Sequence, residues 1–289
     1  MGPLQTFAHD GLTFDVDDTG GRNGDGGDLV GDSDVVILLH GFPASKRSWD
    51  AVTPSLVGAG FRVLAPDQRG YSPGARPRGR GRYALDRLVG DVVALADQAG
   101  ARCFHLVGHD WGGAVAWALA AWHPERVITL TSLATPHPRA MLNAMGSSTQ
   151  ALHSWYILFY QLPWLPELSV TTALGARMFT RTLVGTGLSA DRAGEYLRFM
   201  ASGAAGPAIN WYRALPFTPH RGFEPVSVPT MYVYGDADFA LGRRAADLTG
   251  RYAHGPYRYE ILEGVSHWIP EEAATTTARL LLEHLRPQP

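Results

Sequence analysis

The sequence holds one cysteine, Cys103, and one lysine, Lys46, in 289 residues. A single cysteine excludes an internal disulfide. Its setting in the apolar run Cys103 to Val107 marks it as a small buried side chain rather than a reactive thiol. No Cys/His spacing supports a structural zinc site. Positive charge is left almost wholly to arginine, and the formal net charge is −2 with both signs interspersed. The chain therefore offers no basic stripe for nucleic acid and no acidic tail. No apolar run reaches the length of a membrane span. Met1-Gly2-Pro3-Leu4-Gln5-Thr6 lacks the basic-then-apolar order of a secretory signal, and Pro3 argues against its loose match to a myristoylation pattern. These absences lead us to expect a soluble, cytoplasmic protein, monomer or homodimer, with no nucleic-acid or membrane partner.

What is present is a βα rhythm. Thr13 to Val16, Val35 to Leu39, Phe61 to Ala65, Cys103 to Val107 and Val127 to Leu133 read as strands. Helices are expected near Ser48 to Val57 and over Tyr83 to Ala99, the latter with apolar residues at Leu85, Leu88, Val92, Leu95 and Ala96. The Gly/Asp-rich loop from Asp17 to Asp34 carries acidic residues, but one irregular copy does not make a calcium site. From Pro136 the rhythm stops. The stretch to about residue 224 is helical and aromatic, densest from His153 to Pro163. Strands resume at Thr230 to Tyr234 and Arg258 to Leu262, and a helix from Glu271 to Leu285 closes the chain. Alternating strands and helices predict a mostly parallel, doubly wound α/β sheet. The expected division is a core of residues 1–135 and 225–289 with a helical cap, 136–224, inserted between them.

One stretch organises the rest. Gly108-His109-Asp110-Trp111-Gly112-Gly113 lies between the strand ending at Val107 and an Ala-rich helix from Ala114 to Trp122. Small residues two positions either side of Asp110 suit a sharp strand-to-helix turn with the central side chain exposed above the sheet. This is the nucleophile elbow of an α/β-hydrolase, normally G-x-S-x-G, with Asp in the Ser position. A carboxylate is already ionised and attacks saturated carbon to form an ester. Hydrolysing that ester needs a general base for water, and histidine is the usual choice. Of eleven histidines, His267 alone sits after the last strand in a loop flanked by small residues, where the order nucleophile, acid, histidine places it. His109 adjoins Asp110 but points elsewhere in such a turn and reads as structural. The acid that orients His267 should follow Thr230 to Tyr234. Asp236 and Asp238 both qualify, and spacing does not choose between them.

Here the chain resembles the epoxide hydrolases of the α/β-hydrolase superfamily, over nearly its whole length after the N-terminal loop. His40-Gly41-Phe42-Pro43 is similar to that family's oxyanion-loop motif H-G-x-P, and the elbow to its Asp-Trp elbow. The resemblance implies that the acid is the one before an aromatic, which selects Asp238 ahead of Phe239. It also implies two cap tyrosines that hold the epoxide oxygen: Tyr156, five residues before Gln161-Leu162-Pro163, and Tyr212 in Asn210-Trp211-Tyr212-Arg213. Tyr160, one helical turn from Tyr156, is the rival for the first role. The backbone N–H groups of Phe42 and Trp111 would hold the oxyanion. Chemistry points the same way. The alkoxide from an opened epoxide is about as basic as hydroxide, whereas a tyrosine with an ordinary pKa of about 10 is protonated at neutral pH and can donate to it. Haloalkane dehalogenases share the elbow, but place an Asn or Trp near the oxyanion loop where this chain has Phe42. Fluoroacetate dehalogenases follow the nucleophile with Arg, and here that residue is Trp111. The reading is hydrolysis of a small apolar epoxide by water, without metal or organic cofactor. A dehalogenase is the alternative enzyme, and a ligand-binding receptor or regulator on the same fold is the alternative outside catalysis.

Overall fold

The computed structural model describes residues 2–20, 35–148, 150, 154–218 and 224–286. Strands β1 (Thr6–His9), β2 (Leu12–Asp18), β3 (Val35–Leu39), β4 (Arg62–Pro66), β5 (Phe104–His109), β6 (Val127–Leu133), β7 (Thr230–Gly235) and β8 (Tyr257–Leu262) form one sheet in the order β1-β2-β4-β3-β5-β6-β7-β8. β1, β2 and β4 pair antiparallel, and every other neighbour is parallel. The central strands β3 and β5 are buried at every position, as continuous apolar runs covered on both faces must be.

The sheet begins one strand earlier than the sequence reading had it. β1 and β2 form a hairpin in which Phe7 faces Phe14 and His9 faces Leu12. The turn is Asp10-Gly11, with φ values of 55° and 73°, the pairing a tight two-residue hairpin turn favours. Other boundaries also move. The helix expected at Ser48 to Val57 is a 3₁₀ turn, Lys46–Trp49, followed by a helix, Thr53–Gly58. Pro54 sits in the first turn of the second piece, where its missing N–H costs nothing. The closing helix is two, Ile269–Glu272 and Ala274–Leu285, broken at Ala273. Cys103 lies just before β5 and is only half-buried, its Sγ against the Glu125 carbonyl at 3.3 Å. The acidic loop named as a calcium possibility falls, from residue 21 on, outside the described residues.

Between β6 and β7 the described residues form helices and no strand of the sheet: Pro138–Ser147, Trp155–Phe159, Leu165–Thr171, Ala173–Gly185, Ala190–Phe199 and Ala205–Arg213. They pack over the C-terminal ends of the parallel strands, where open α/β sheets bind ligands. Trp211 Nε1 donates to the Arg69 carbonyl at 2.7 Å, and Trp268 Nε1 donates to Thr186 Oγ1 at 3.1 Å. Arg69 itself is fully buried and holds both carboxylate oxygens of Asp91 at 2.7 and 2.8 Å, tying the loop after β4 to helix Leu85–Gln98. No helix among the described residues is long and apolar enough to cross a membrane.

Candidate active site

The elbow begins with β5, which runs to His109, and helix Trp111–Trp122, which starts one residue after Asp110. Asp110 takes φ 52° and ψ −122°, a strained backbone for a side chain with a Cβ. The surrounding glycines make that turn possible. A Cβ on Gly108 would strike the carbonyl of Gly112, and one on Gly112 would strike the carbonyl of Leu39. The fold holds the turn from outside as well, since Thr135 Oγ1 donates to the Asp110 carbonyl at 2.6 Å.

One carboxylate oxygen of Asp110 is engaged from the loop after β3. Phe42 N–H donates to Asp110 Oδ1 at 2.7 Å, and the Trp111 amide also hydrogen-bonds the carboxylate. The loop is fixed in turn by His40, which is fully buried. Gln68 N–H donates to His40 Nε2 at 3.2 Å, so Nδ1 carries the hydrogen and donates to the Gly41 carbonyl at 3.0 Å. The other oxygen, Asp110 Oδ2, faces His267 Nε2 at 3.5 Å, an ion-pair contact longer than a good hydrogen bond. On its far side His267 donates from Nδ1 to Asp238 Oδ2 at 2.7 Å. Asp238 is placed by amides: Oδ1 accepts from Ala240 at 2.7 Å and Leu241 at 3.0 Å. Asp236, the other candidate, is exposed and accepts from Gly264 N–H at 2.6 Å. It braces the His267 loop without touching the imidazole.

Tyr156 comes from helix Trp155–Phe159 and Tyr212 from Ala205–Arg213. Their rings stand 6.1 Å apart and nearly perpendicular, over Asp110. Tyr212 is wedged among Phe42, Trp111 and Tyr160, with ring separations of 5.5, 5.0 and 4.5 Å. A cavity of about 610 Å³ opens on Asp110, His267, Tyr156, Tyr160 and Tyr212, with apolar walls from Phe42, Phe179, Leu183, Phe239 and Trp268. A smaller one of about 240 Å³ reaches Asp110, Tyr156 and Tyr212 from the side of Trp111. Among the described residues neither is lined by Lys or Arg.

Residues 34–274 match the α/β-hydrolase fold family. The chain is 35% identical over 268 residues to the AB hydrolase superfamily protein YfhM of Bacillus subtilis, covering 89% of this chain and 92% of the relative. It is 32% identical over 294 residues to epoxide hydrolase A of Mycobacterium tuberculosis, covering 87% and 90%. Among solved structures, epoxide hydrolase A of Mycobacterium thermoresistibile superposes with a TM-score of 0.83 at 26% identity, over 99% of both chains. The chain belongs to the α/β-hydrolase family, among its epoxide hydrolases.

In this epoxide hydrolase the site's protonation follows from its packing. Burial would push the Asp110 carboxyl up, but the close contact and charge of His267 hold it below its ordinary value, so it stays ionised. Burial would push His267 down, yet Asp238 and Asp110 raise it to about 10. The resting site is thus an imidazolium between two carboxylates. Burial, and then the charge of Asp110, push Tyr156 and Tyr212 well above the ordinary phenol value and keep both protonated. His40 is held down to about 4 by burial and stays neutral, as its hydrogen bonds require.

The structure brings together Phe42, Asp110, Trp111, Tyr156, Tyr212, Asp238 and His267, and leaves the other candidate acid, Asp236, at the surface. It also brings Tyr160 into the same cavity, so position alone does not set that residue apart from Tyr156. Sequence reasoning missed Thr135, whose hydroxyl sits under the elbow. It also missed Trp268, which joins the cavity wall to Thr186. A polar residue just after β6 is the sole local signal for the first, and nothing local marks the second.

Proposed function

We propose that the chain converts an apolar epoxide to its vicinal diol through an ester on Asp110. The observation that carries this reading is the arrangement around one carboxylate. Oδ1 is held by the Phe42 N–H, the Trp111 amide hydrogen-bonds the same carboxylate, Oδ2 faces His267, and two protonated tyrosines line the cavity beside it. Residues 136–224 act as the cap that supplies those tyrosines.

Asp110 Oδ2 attacks one ring carbon and the C–O bond breaks. The electron pair passes to the ring oxygen, which takes a proton from Tyr156 or Tyr212. Esterification removes the Asp110 charge, so His267 keeps only Asp238 as counter-ion. Its proton becomes easier to release and restores the tyrosine. Neutral His267 then takes a proton from water as the water oxygen attacks the ester carbonyl, and the negative charge grows on Oδ1, which the Phe42 amide already holds and the Trp111 amide would stabilise with it. Collapse returns the His267 proton to the leaving alkoxide and releases the diol. The Asp110 carboxyl then reprotonates His267, and the sum is epoxide plus water to diol. Among the described residues the lining has no Lys or Arg to hold a charged substrate, His267 being already paired with two carboxylates, and its aromatic walls suit an apolar one.

His267→Gln tests the reading, because attack survives while water activation does not. Intact-protein mass spectrometry after incubation with styrene oxide should show the whole mass of the epoxide added to Asp110. A dehalogenase offered a bromoalkane would instead gain the mass of the bromoalkane less hydrogen bromide. An unmodified variant, incubated with an epoxide that the wild type turns over, would rule out covalent catalysis.

A further inference from the structure

His109 has no part in the mechanism above, yet its side chain is fully buried and its ring lies 5.0 Å from that of His267. His109 Nε2 is 2.8 Å from the backbone carbonyl oxygen of His267, across 158 residues of sequence. A carbonyl only accepts, so Nε2 must carry the hydrogen. Nδ1 is buried and has no partner among the described residues. Burial, the charge of His267 beside it and the other groups of the site keep the ring neutral, with a value near 4.

The loop carrying His267 has few other ties at that residue. Ile269 N–H also donates to the same carbonyl at 2.9 Å, but it belongs to the loop and curls it without fixing it to the sheet. Ala237 and Asp236 hold the loop earlier, at Val265 and Gly264. Trp268 is held by Thr186 from the helical segment. Asp238 and Asp110 meet the imidazole itself, but of the contacts to the backbone carbonyl of His267 only that of His109 comes from a strand of the central sheet, and from the residue before the nucleophile.

We infer that His109 is a positioning residue: its Nε2–H clamps the carbonyl of His267, so that one elbow carries both the nucleophile and the tie that sets the base beside it. The inference rests on the covalent reading of Asp110 and His267. Placement of the base matters for the step in which His267 takes a proton from water. It matters far less for attack by a carboxylate that is already ionised. A lost clamp should therefore slow ester hydrolysis and spare ester formation.

His109→Phe keeps a ring and removes the donor, whereas His109→Gln returns an amide N–H to about the same place. In single-turnover kinetics with styrene oxide, the Phe variant should form the ester within about threefold of the wild-type rate. It should hydrolyse that ester tenfold or more slowly, so that the adduct becomes visible by mass spectrometry. The Gln variant should recover most of the loss. Equal slowing of both steps, or wild-type hydrolysis in a folded Phe variant, would overturn the clamp. Should the Phe variant not fold, ¹⁵N-histidine NMR of the wild type decides. A neutral Nε2–H tautomer for His109 at pH 7 supports the clamp, and an Nδ1–H tautomer overturns it. If no protein, His267→Gln included, ever carries an ester, the covalent reading has failed, and the tautomer still judges the clamp.

Discussion

Asp238 gives one oxygen to each of two tasks. Oδ2 accepts from His267 Nδ1 at 2.7 Å, while Oδ1 accepts from the amides of Ala240 and Leu241. The carboxylate is thereby fixed by backbone before it meets the imidazole, and its two oxygens cannot exchange places without breaking all three bonds.

That division predicts the result of Asp238→Asn. The amide oxygen would stay with Ala240 and Leu241, and the NH₂ group would face His267. An NH₂ donates, so Nδ1 would have to accept and the hydrogen would move to Nε2. The base would then present the wrong tautomer to water. Ester hydrolysis should fall by about 10²–10⁴, the usual worth of general-base catalysis, while attack by Asp110 slows far less. Accumulated adduct in the mass spectrum would show this, and an unaltered hydrolysis rate would exclude Asp238 as the orienting acid.

His267 should also write itself into the pH dependence of stability. Burial lowers its proton affinity, but the carboxylates of Asp238 and Asp110 more than reverse that, from an ordinary 6.5 to about 10. A base that binds its proton more tightly folded than unfolded stabilises fully below the unfolded value, and that gain is lost as pH rises through the folded one. Asp67 and Glu271, raised by burial to about 6 and about 7, lose their contributions lower down. The window from pH 7 to 10 is left largely to His267. Melting temperature should fall across it, and Asp110→Asn, which removes one of the two counter-ions, should flatten the fall. An equal slope in the two proteins would show that the ion pair is not its cause.

The parts legible in the sequence were those with a local signature. The apolar runs of β3 and β5, the spaced glycines of the elbow and the small residues before His267 each announce themselves within six or seven positions. The choice between Asp236 and Asp238 was not local. The two differ in that one caps Gly264 at the surface while the other turns inward onto amides two and three residues ahead. Resemblance chose the residue that the structure places on His267, whereas spacing did not. The first hairpin escaped because four-residue β1 shows no clean alternation, although Asp10-Gly11 marked its turn. Thr135, Trp268 and His109 act across long sequence separations, through contacts that only the closed sheet creates.

On the proposed mechanism the two tyrosines would distinguish epoxide opening from halide displacement. Tyr156 and Tyr212 are each expected to donate to an oxygen whose charge grows in the transition state. Losing one such donor typically costs about 10²–10³ in rate, or roughly 2.7–4 kcal/mol. Tyr156→Phe and Tyr212→Phe keep the rings that pack against Phe42, Trp111 and each other, so stability should change little. Each variant should slow ester formation strongly and alter hydrolysis of a preformed ester less. The double variant should be worse than either, though short of the product of the two losses, because the donors serve one oxygen. Tyr160 packs at a tilt against Tyr212 at 4.5 Å and meets Phe42 at 5.2 Å, so its ring supports Tyr212 whatever its hydroxyl does. Tyr160→Phe preserves that ring and should leave ester formation nearly unchanged, whereas Tyr160→Ala should weaken it by loosening Tyr212. Stopped-flow tryptophan fluorescence with a reactive aryl epoxide separates the two steps. If the Tyr156/Tyr212 double variant were alkylated at full speed, neither phenol would be the acid. If Tyr160→Phe alone stopped alkylation, the role would pass to Tyr160.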